Sequence, residues 1–385
     1  MKYLGSNHKT AAAWNRTLAI RLLRRHGTLS RNDISQMTQL QGSTLSYIVR
    51  ELQGKNIVRV VGKRKSDRVG PKQVLLTLNP EFGWVVGISL RPERATLVLV
   101  DASGKRVDGM TLPISGPLEG LPVQLDRAIA KWVRKRDDIA GKMLAMGVAV
   151  PGVVDADAGV VLRSTLFHAV NVPLQQLLAD RFGVTATVDH DACYAAAAEA
   201  VDGAASGAAH FIYLSINAAK TDGGWVIASY GSALYLGGNI YRGAFYGAGE
   251  LSAPLLPKDW PLTNEELALL ADPDGGMPTG LIDLADTLGR VLAPMINFVD
   301  VQMVVLGGTV NITNRRFMAA VQARVTEALV PIPGRAVRIV RSALEPEAAA
   351  RGAAISSFDQ LVSRGLLFDE AEDAANSQIS TPSAG

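Results

Sequence analysis

The stretch VDHDACYAAAAEA, residues 188–200, closes an apparent strand with an aspartate, a histidine and a second aspartate, then enters an alanine-rich run of helical composition. Asp191 thus falls where strand passes to helix, a position at which loops converge on a cleft. A carboxylate there is placed to accept a proton from a substrate hydroxyl. Aspartate is also preferred at helix N-caps, so Asp191 reads alternatively as a local cap.

The elements that would position it begin near residue 84, where short apolar runs alternate with helical patterns. WVVGISL, ATLVLVD and RVDGMTLPI read as strands, followed by a helix near LPVQLDRAIAKWVRKR and a strand in MLAMGVAVPG. The alternation continues through PLQQLLADRFG, ATVDH, a helix at 192–202, FIYLSIN, GGWVIAS and a late strand VQMVVLGG. This is α/β architecture, and no period of roughly 20–50 residues recurs, which excludes a solenoid.

The 385 residues are 48% hydrophobic, enough for two or three domains with real cores. No apolar run approaches the roughly 18 residues of a membrane span, and the N-terminus MKYLGSNHKT lacks a signal-peptide core, so a cytoplasmic location is expected. The single cysteine, Cys193, excludes an intrachain disulfide and a cysteine-cluster zinc site. With five scattered histidines, no structural metal is expected.

Charge is distributed unevenly. Residues 1–72 hold 15 Lys and Arg against 3 acidic residues, a net +12, whereas the remainder holds 24 against 33, a net −9. A basic head on an acidic body suggests a polyanion-binding module, with nucleic acid as its partner. Within the head, WNRTLAIRLLRRH (14–26) places Leu18, Leu22 and Leu23 at helical spacing with arginines opposite, and Gly27 is positioned as a stop. Ser30 and Asp33 resemble a capping box opening a second helix with Ile34 and Met37 as its stripe. A turn at Gln41 and Gly42 then leads to a third helix whose Leu45, Ile48, Val49 and Leu52 face inward.

Such a helix-turn-helix lays its third helix in the DNA major groove, where the outward Ser43, Thr44, Ser46, Tyr47 and Arg50 would meet base edges, with Arg31 nearby. The strands IVRVVG and QVLLTLN, joined by the basic loop KRKSDRVGPK, complete a wing. Its Lys63, Arg64, Lys65, Arg68 and Lys72 are the expected backbone contacts. A winged helix-turn-helix at 1–78, an α/β body at 79–368 and an unstructured tail at 369–385 are the expected domains.

The order of motifs resembles the ROK family of bacterial repressors and sugar kinases, over about residues 14–365. The resemblance is carried by LTLNPEFGWVVGISL, GVAVPGVVDADAGVV, VPLQQLLADRFGVTATVDHDACYAAAAEA, YRGAFYGAGEL and VVLGGTV. It implies a two-lobed actin-like or hexokinase-like (ribonuclease H-like) body. The N-terminal winged helix implies a repressor, since family kinases usually lack one. In those kinases the counterpart of Asp191 is the catalytic base.

The family's nucleotide cradles are altered here. Where Asp-x-Gly-Gly-Thr is usual the chain reads ISLRPERAT, with Ser89 for the aspartate and Arg91, Pro92 and Glu93 in place of Gly-Gly-Thr; Pro92 has no N–H and Glu93 repels phosphate. The second cradle, INAAKTDGGW, retains only Gly223 and Gly224. ATP chemistry is therefore not expected, and no cofactor is. On the sugar side Asp191 and Glu250 persist, while the histidine of the Glu-x-Gly-His motif and the following cysteine-rich zinc motif are absent. A pocket of His168, His190, Asp191 and Glu250 is expected to take a small sugar or polyol as effector. Together these readings imply a non-enzymatic regulator of carbohydrate-related genes, binding a double-stranded operator as a homodimer or tetramer; the alternative is a ROK sugar kinase that keeps Asp191 as base.

Overall fold

The protein was analysed as a computed structural model, which describes residues 8–64, 72–134, 141–251, 256–257, 259–365 and 367. The expected tail at 369–385 and much of the wing loop lie outside these residues. The head comprises α1 (His8–His26), β1 (Leu29–Ser30), α2 (Arg31–Thr38), α3 (Gly42–Gly54), β2 (Val58–Arg64) and β3 (Gln73–Leu78). Its strands form a small sheet of order β1-β3-β2. β1 is only two residues long and has no periodicity to announce it.

Capping and periodicity act here as the residues dictate. Ser30 and Asp33 form a reciprocal capping box at the start of α2, and Leu45, Ile48, Val49 and Leu52 of α3 are all buried. Three details differ from expectation. The turn between α2 and α3 comes earlier, with Gln39 left-handed at φ 59°, and Gly42 opens the helix. Met37 stays half exposed. In α1 the fully buried residues are Thr17, Ala19, Ile20 and Leu23, with Leu18 and Leu22 only partly covered.

The body has two lobes built on one plan. In the first, β4 (Gly83–Arg91), β5 (Arg94–Asp101) and β6 (Arg106–Pro113) form an antiparallel meander. After α4 (Leu121–Val133), β7 (Lys142–Val150) joins parallel to β4. A hairpin sheet of β8 (Val153–Asp155), β9 (Val160–Ser164) and β10 (Ala169–Val172) follows, then α5 (Leu174–Phe182) and β11 (Thr185–His190), parallel to β7. The sheet order is β11-β7-β4-β5-β6.

After α6 (Asp191–Asp202), the second lobe repeats the plan with β12 (Phe211–Thr221), β13 (Gly224–Leu236) and β14 (Asn239–Tyr241). β15 (Trp260–Leu262) edges onto β13, and α7 (Asn264–Ala271) and α8 (Thr279–Val299) come next. β16 (Met303–Gly307), α9 (Arg315–Ala328) and β17 (Arg338–Arg341) then supply the parallel side of a sheet of order β14-β13-β12-β16-β17. This is the ribonuclease H-like duplication expected of the body, and among the described residues no helix is long and apolar enough to cross a membrane.

The chain closes with α10 (Ala348–Ser363), which packs on β4, β7 and α6, while α6 also reaches β12 and β13. Small residues permit this close stacking: a Cβ at Gly87 would fall on the Ala350 carbonyl, and one at Gly352 on the Tyr194 carbonyl. α10 also receives the head. Thr17 donates to the Val362 carbonyl at 3.2 Å, and Arg24 donates to the Ile355 carbonyl at 3.3 Å with its guanidinium 4.7 Å above the Phe358 ring. Arg24 thus faces the core and not the solvent side that helical spacing gave it, because its partners lie more than 300 residues along the chain. One apolar cluster runs unbroken from Ile20, Leu23 and Leu52 in the head to Val85, Val98, Phe358 and Leu361 in the body.

Candidate DNA-reading face and effector cleft

The outward face of α3 is free of the body. Ser43, Thr44, Tyr47 and Arg50 are exposed, Tyr47 at 65%, and Ser46 is half-buried. Gln41 precedes the helix without a side-chain capping bond, so the first N–H groups of α3 remain open at the positive end of its dipole. Arg31, Lys63 and Lys72 of the same head are exposed, and Lys65 and Arg68 fall outside the described residues. Arg64 is already engaged, bonded to Asp33 at 2.8 Å and Gln73 at 2.9 Å, which ties the wing to α2.

The body's polar centre forms where β11 passes into α6. His190 occupies the N-cap position without a capping bond, and Asp191 is the first helical residue. Its carboxylate is therefore not the helix cap that sequence left open. One oxygen accepts from Arg91 Nη1 at 2.7 Å, and the other from Ala192 N–H at 2.8 Å and His190 Nε2 at 3.0 Å. Burial alone would raise the Asp191 pKa, but Arg91 and then His190 outweigh it and hold the carboxyl well below the usual range. For His190 burial disfavours charge, yet Asp191 prevails and holds the imidazole well above its ordinary value. Burial pushes the neighbouring Cys193 thiol up, leaving it inert.

The signs fix a pH window. His190 is raised, so its contribution to stability is complete below pH 6.5 and is lost as pH rises through its folded value. Asp191 is depressed, so its contribution is complete above pH 3.8 and is lost as pH falls below that. Thermal melting across pH is expected to plateau between these limits, with an alkaline decline that His190→Gln removes. An identical alkaline decline in that variant would show that the pair contributes nothing.

Around this centre lies a cleft of about 210 Å³ whose lining includes His190, Asp191, Asn217, Tyr230 and Glu250. His168 does not join them. It is exposed, with φ 49°, at the end of the β9–β10 turn, which sends Thr165 and Leu166 to the cleft instead. Tyr230 lines the cleft, while its hydroxyl is buried with no hydrogen-bond partner among the described residues. Glu250 ends a strap held at two points before it: Arg242 bonds Asp189 across the lobes at 2.5 Å, and Tyr246 donates to Asp157 at 2.8 Å. Arg91 as the partner of Asp191 and Tyr230 as a cleft residue escaped sequence reasoning, since only three-dimensional proximity reveals them. Among the described residues no group of three or more His, Cys, Asp or Glu is arranged to hold a metal.

Across Asp191, the turn after β16 is closed by side chains of the chain itself. Glu345 accepts a hydrogen bond from the Gly308 N–H at 2.9 Å and another from the Tyr213 hydroxyl. A carboxylate thereby occupies the backbone donor of the glycine turn after β16.

Residues 85–251 and 279–358 match the pattern of the ROK family. The xylose repressor of Caldicellulosiruptor bescii is 26% identical over 249 residues, 64% of this chain and 59% of that protein. The xylose repressor of Bacillus spizizenii is 22% identical over 370 residues, 88% of this chain and 93% of that one. The chain thus spans 59% of the length of the Caldicellulosiruptor relative but nearly all of the Bacillus one. Among solved structures, a ROK family transcriptional regulator homologous to the E. coli MLC protein superposes with TM-score 0.74 at 18% identity, over 93% of this chain and 98% of that one. A ROK glucokinase from Streptomyces griseus, solved with glucose and AMPPNP, gives 0.57 at 20% identity over 71% of this chain and 99% of that one. With the matched segments covering most of both lobes, the chain belongs to the ROK family.

Proposed function

We propose that the protein is a cytoplasmic, DNA-binding transcriptional regulator of carbohydrate-related genes, acting as a repressor. Residues 1–78 read a double-stranded operator and residues 79–368 bind the effector and dimerise. The observation that carries this reading is α3: a buried stripe on one face, and on the other an open N-terminus with Ser43, Thr44, Tyr47 and Arg50 projecting from a head of net charge +12. Small hydroxyls permit close approach to base edges, and Arg50, Lys63 and Lys72 reach the phosphates. Two copies in a homodimer, or four in a tetramer, reading half-sites one helical turn apart supply the affinity that one small head lacks. The repressor names of the relatives point the same way.

A small sugar or polyol in the cleft around His190, Asp191 and Glu250 is the effector. By binding one arrangement of the lobes more tightly than the other it shifts operator affinity. The expected result is that operator fragments selected from the organism's own genome are retained by the full chain and released by one member of a monosaccharide panel. Retention should also fall by about a thousandfold between roughly 50 and 200 mM salt. A flat salt response would remove the phosphate contacts from the reading, and binding blind to every sugar would remove the effector.

Kinase chemistry is the rival, and the geometry disfavours it. A general base works best with a pKa near the working pH, whereas Asp191 is ion-paired to Arg91 and strongly acidic. Glu345 on the Gly308 N–H and Pro92 and Glu93 after β4 oppose a nucleotide. A coupled ATP assay over common hexoses is expected to be silent. Turnover that Asp191→Asn abolishes would instead establish the kinase.

A further inference from the structure

Helix α8 buries one side and leaves the other bare. Leu281, Leu284, Leu288, Leu292 and Ile296 face the core of the second lobe, while Arg290, Pro294 and Phe298 recur at every fourth residue on the outer face. Phe298 is 92% exposed, the most open large apolar side chain among the described residues. The connection from α9 to β17 enlarges this surface. Asn297 accepts from the Val330 N–H and donates to the Ala328 carbonyl, both at 3.1 Å, and Arg335 donates to Asn297 at 2.9 Å. These bonds hold the segment VPIP, residues 330–333, exposed beside the end of α8. With the partly covered Val291 and Met295, the patch offers on the order of 600 Å² of apolar surface, a size that marks an interaction site.

We propose that this face joins two copies of the chain, α8 packing antiparallel on α8 of the other copy about a two-fold axis at Met295. The inference rests on the homodimer reading and deepens it by naming the interface. Charge selects the occupant. About Met295 the symmetry sets Arg290 of each copy against Asp300 of the other, and these side chains are 70% and 74% exposed. Phe298 then packs across the axis near Val291 and Pro294, apolar on apolar. One surface thereby complements itself, as a two-fold contact requires. A standard interface covers about 800 Å² per partner, and the patch with its charged rim approaches that size. Residues 369–385 suit the face poorly, being polar and acidic with Ile379 as their one large apolar side chain.

Analytical sedimentation of the full chain at micromolar concentration tests this. The parent is expected to run as a dimer that Phe298→Asp weakens by at least about a hundredfold, with Val330→Asp, on a separate element, weakening it by about tenfold. Both replace exposed side chains, so the far-ultraviolet circular dichroism should match the parent. Because the single native cysteine, Cys193, is buried, Met295→Cys supplies the one reactive thiol, and mild oxidation should link two copies through it. Ile282→Cys, exposed near the far end of α8, should stay unlinked. A dimer that keeps its parent affinity in Phe298→Asp and Val330→Asp overturns the inference, as does a dimer that Ile282→Cys links and Met295→Cys does not. A monomeric parent that still retains operator DNA sinks this interface and leaves the DNA reader standing. Dimers that Phe298→Asp dissociates but that retain no operator uphold the interface and sink the DNA-binding reading.

Discussion

Arg50→Glu is expected to lower operator affinity by about a hundredfold. Arg50 is exposed on the outward face of α3, one residue before Glu51, which is held by Arg16 at 2.9 Å. Reversal therefore leaves the helix's own ion pair in place and acts on the DNA side alone. A lost base or phosphate contact costs about 1–3 kcal/mol, and a dimer loses it twice. Introduced repulsion against phosphate adds to that, so a hundredfold, near 2.7 kcal/mol, is a conservative expectation. Gel shift or fluorescence anisotropy on the selected operator measures it, with circular dichroism confirming that the head still folds. Affinity within about twofold of the parent would mean that α3 does not face the groove.

Gly352→Val is expected to destabilise the body strongly. Gly352 lies in the buried middle of α10, where even a Cβ would overlap the Tyr194 carbonyl of α6. Backbone cannot step aside as a flexible side chain can, so the two helices must separate. Overpacking in cores typically costs about 1–3 kcal/mol, and a clash with main chain belongs at or beyond the upper end. At about 3 kcal/mol the melting temperature falls by roughly 6–12 °C for a domain of this size. Gly352→Ala should fall in the same direction by less. A melting temperature within about 2 °C of the parent would show that α6 and α10 have slack. Since α10 also seats the head, operator binding should be lost on heating at the same lower temperature as the body's helical signal.

Local periodicity made the head's design legible. Leu45, Ile48, Val49 and Leu52 recur at helical spacing and all four are buried, and Ser30 with Asp33 fixes the start of α2 by a bond between neighbours. What failed was any feature settled by distant partners. Arg24 looked solvent-facing because its spacing matched the polar side of α1, yet Phe358 and the Ile355 carbonyl take it inward. Likewise Arg91 announced itself only as damage to a phosphate cradle. Its bond to Asp191, 100 residues away, became visible once β4 and α6 were brought together. His168 was drawn toward the cleft by its residue type, whereas the turn geometry of β9–β10 decided otherwise. Asp191 was legible from its local strand-to-helix position, whereas Glu250 was marked only by the order of family motifs; both line the same cleft.

The seam between α1 and α10 bears on how the molecule is made. The basic head is synthesised before the body, and units that precede others in a chain usually complete folding during synthesis. Here the groove that receives Thr17 and Arg24 does not exist until residues 355–362 have been translated. Nascent chains therefore carry an unseated, strongly basic head until α10 has been made, and a ribosome stalled within the second lobe holds a head that has not yet been mounted.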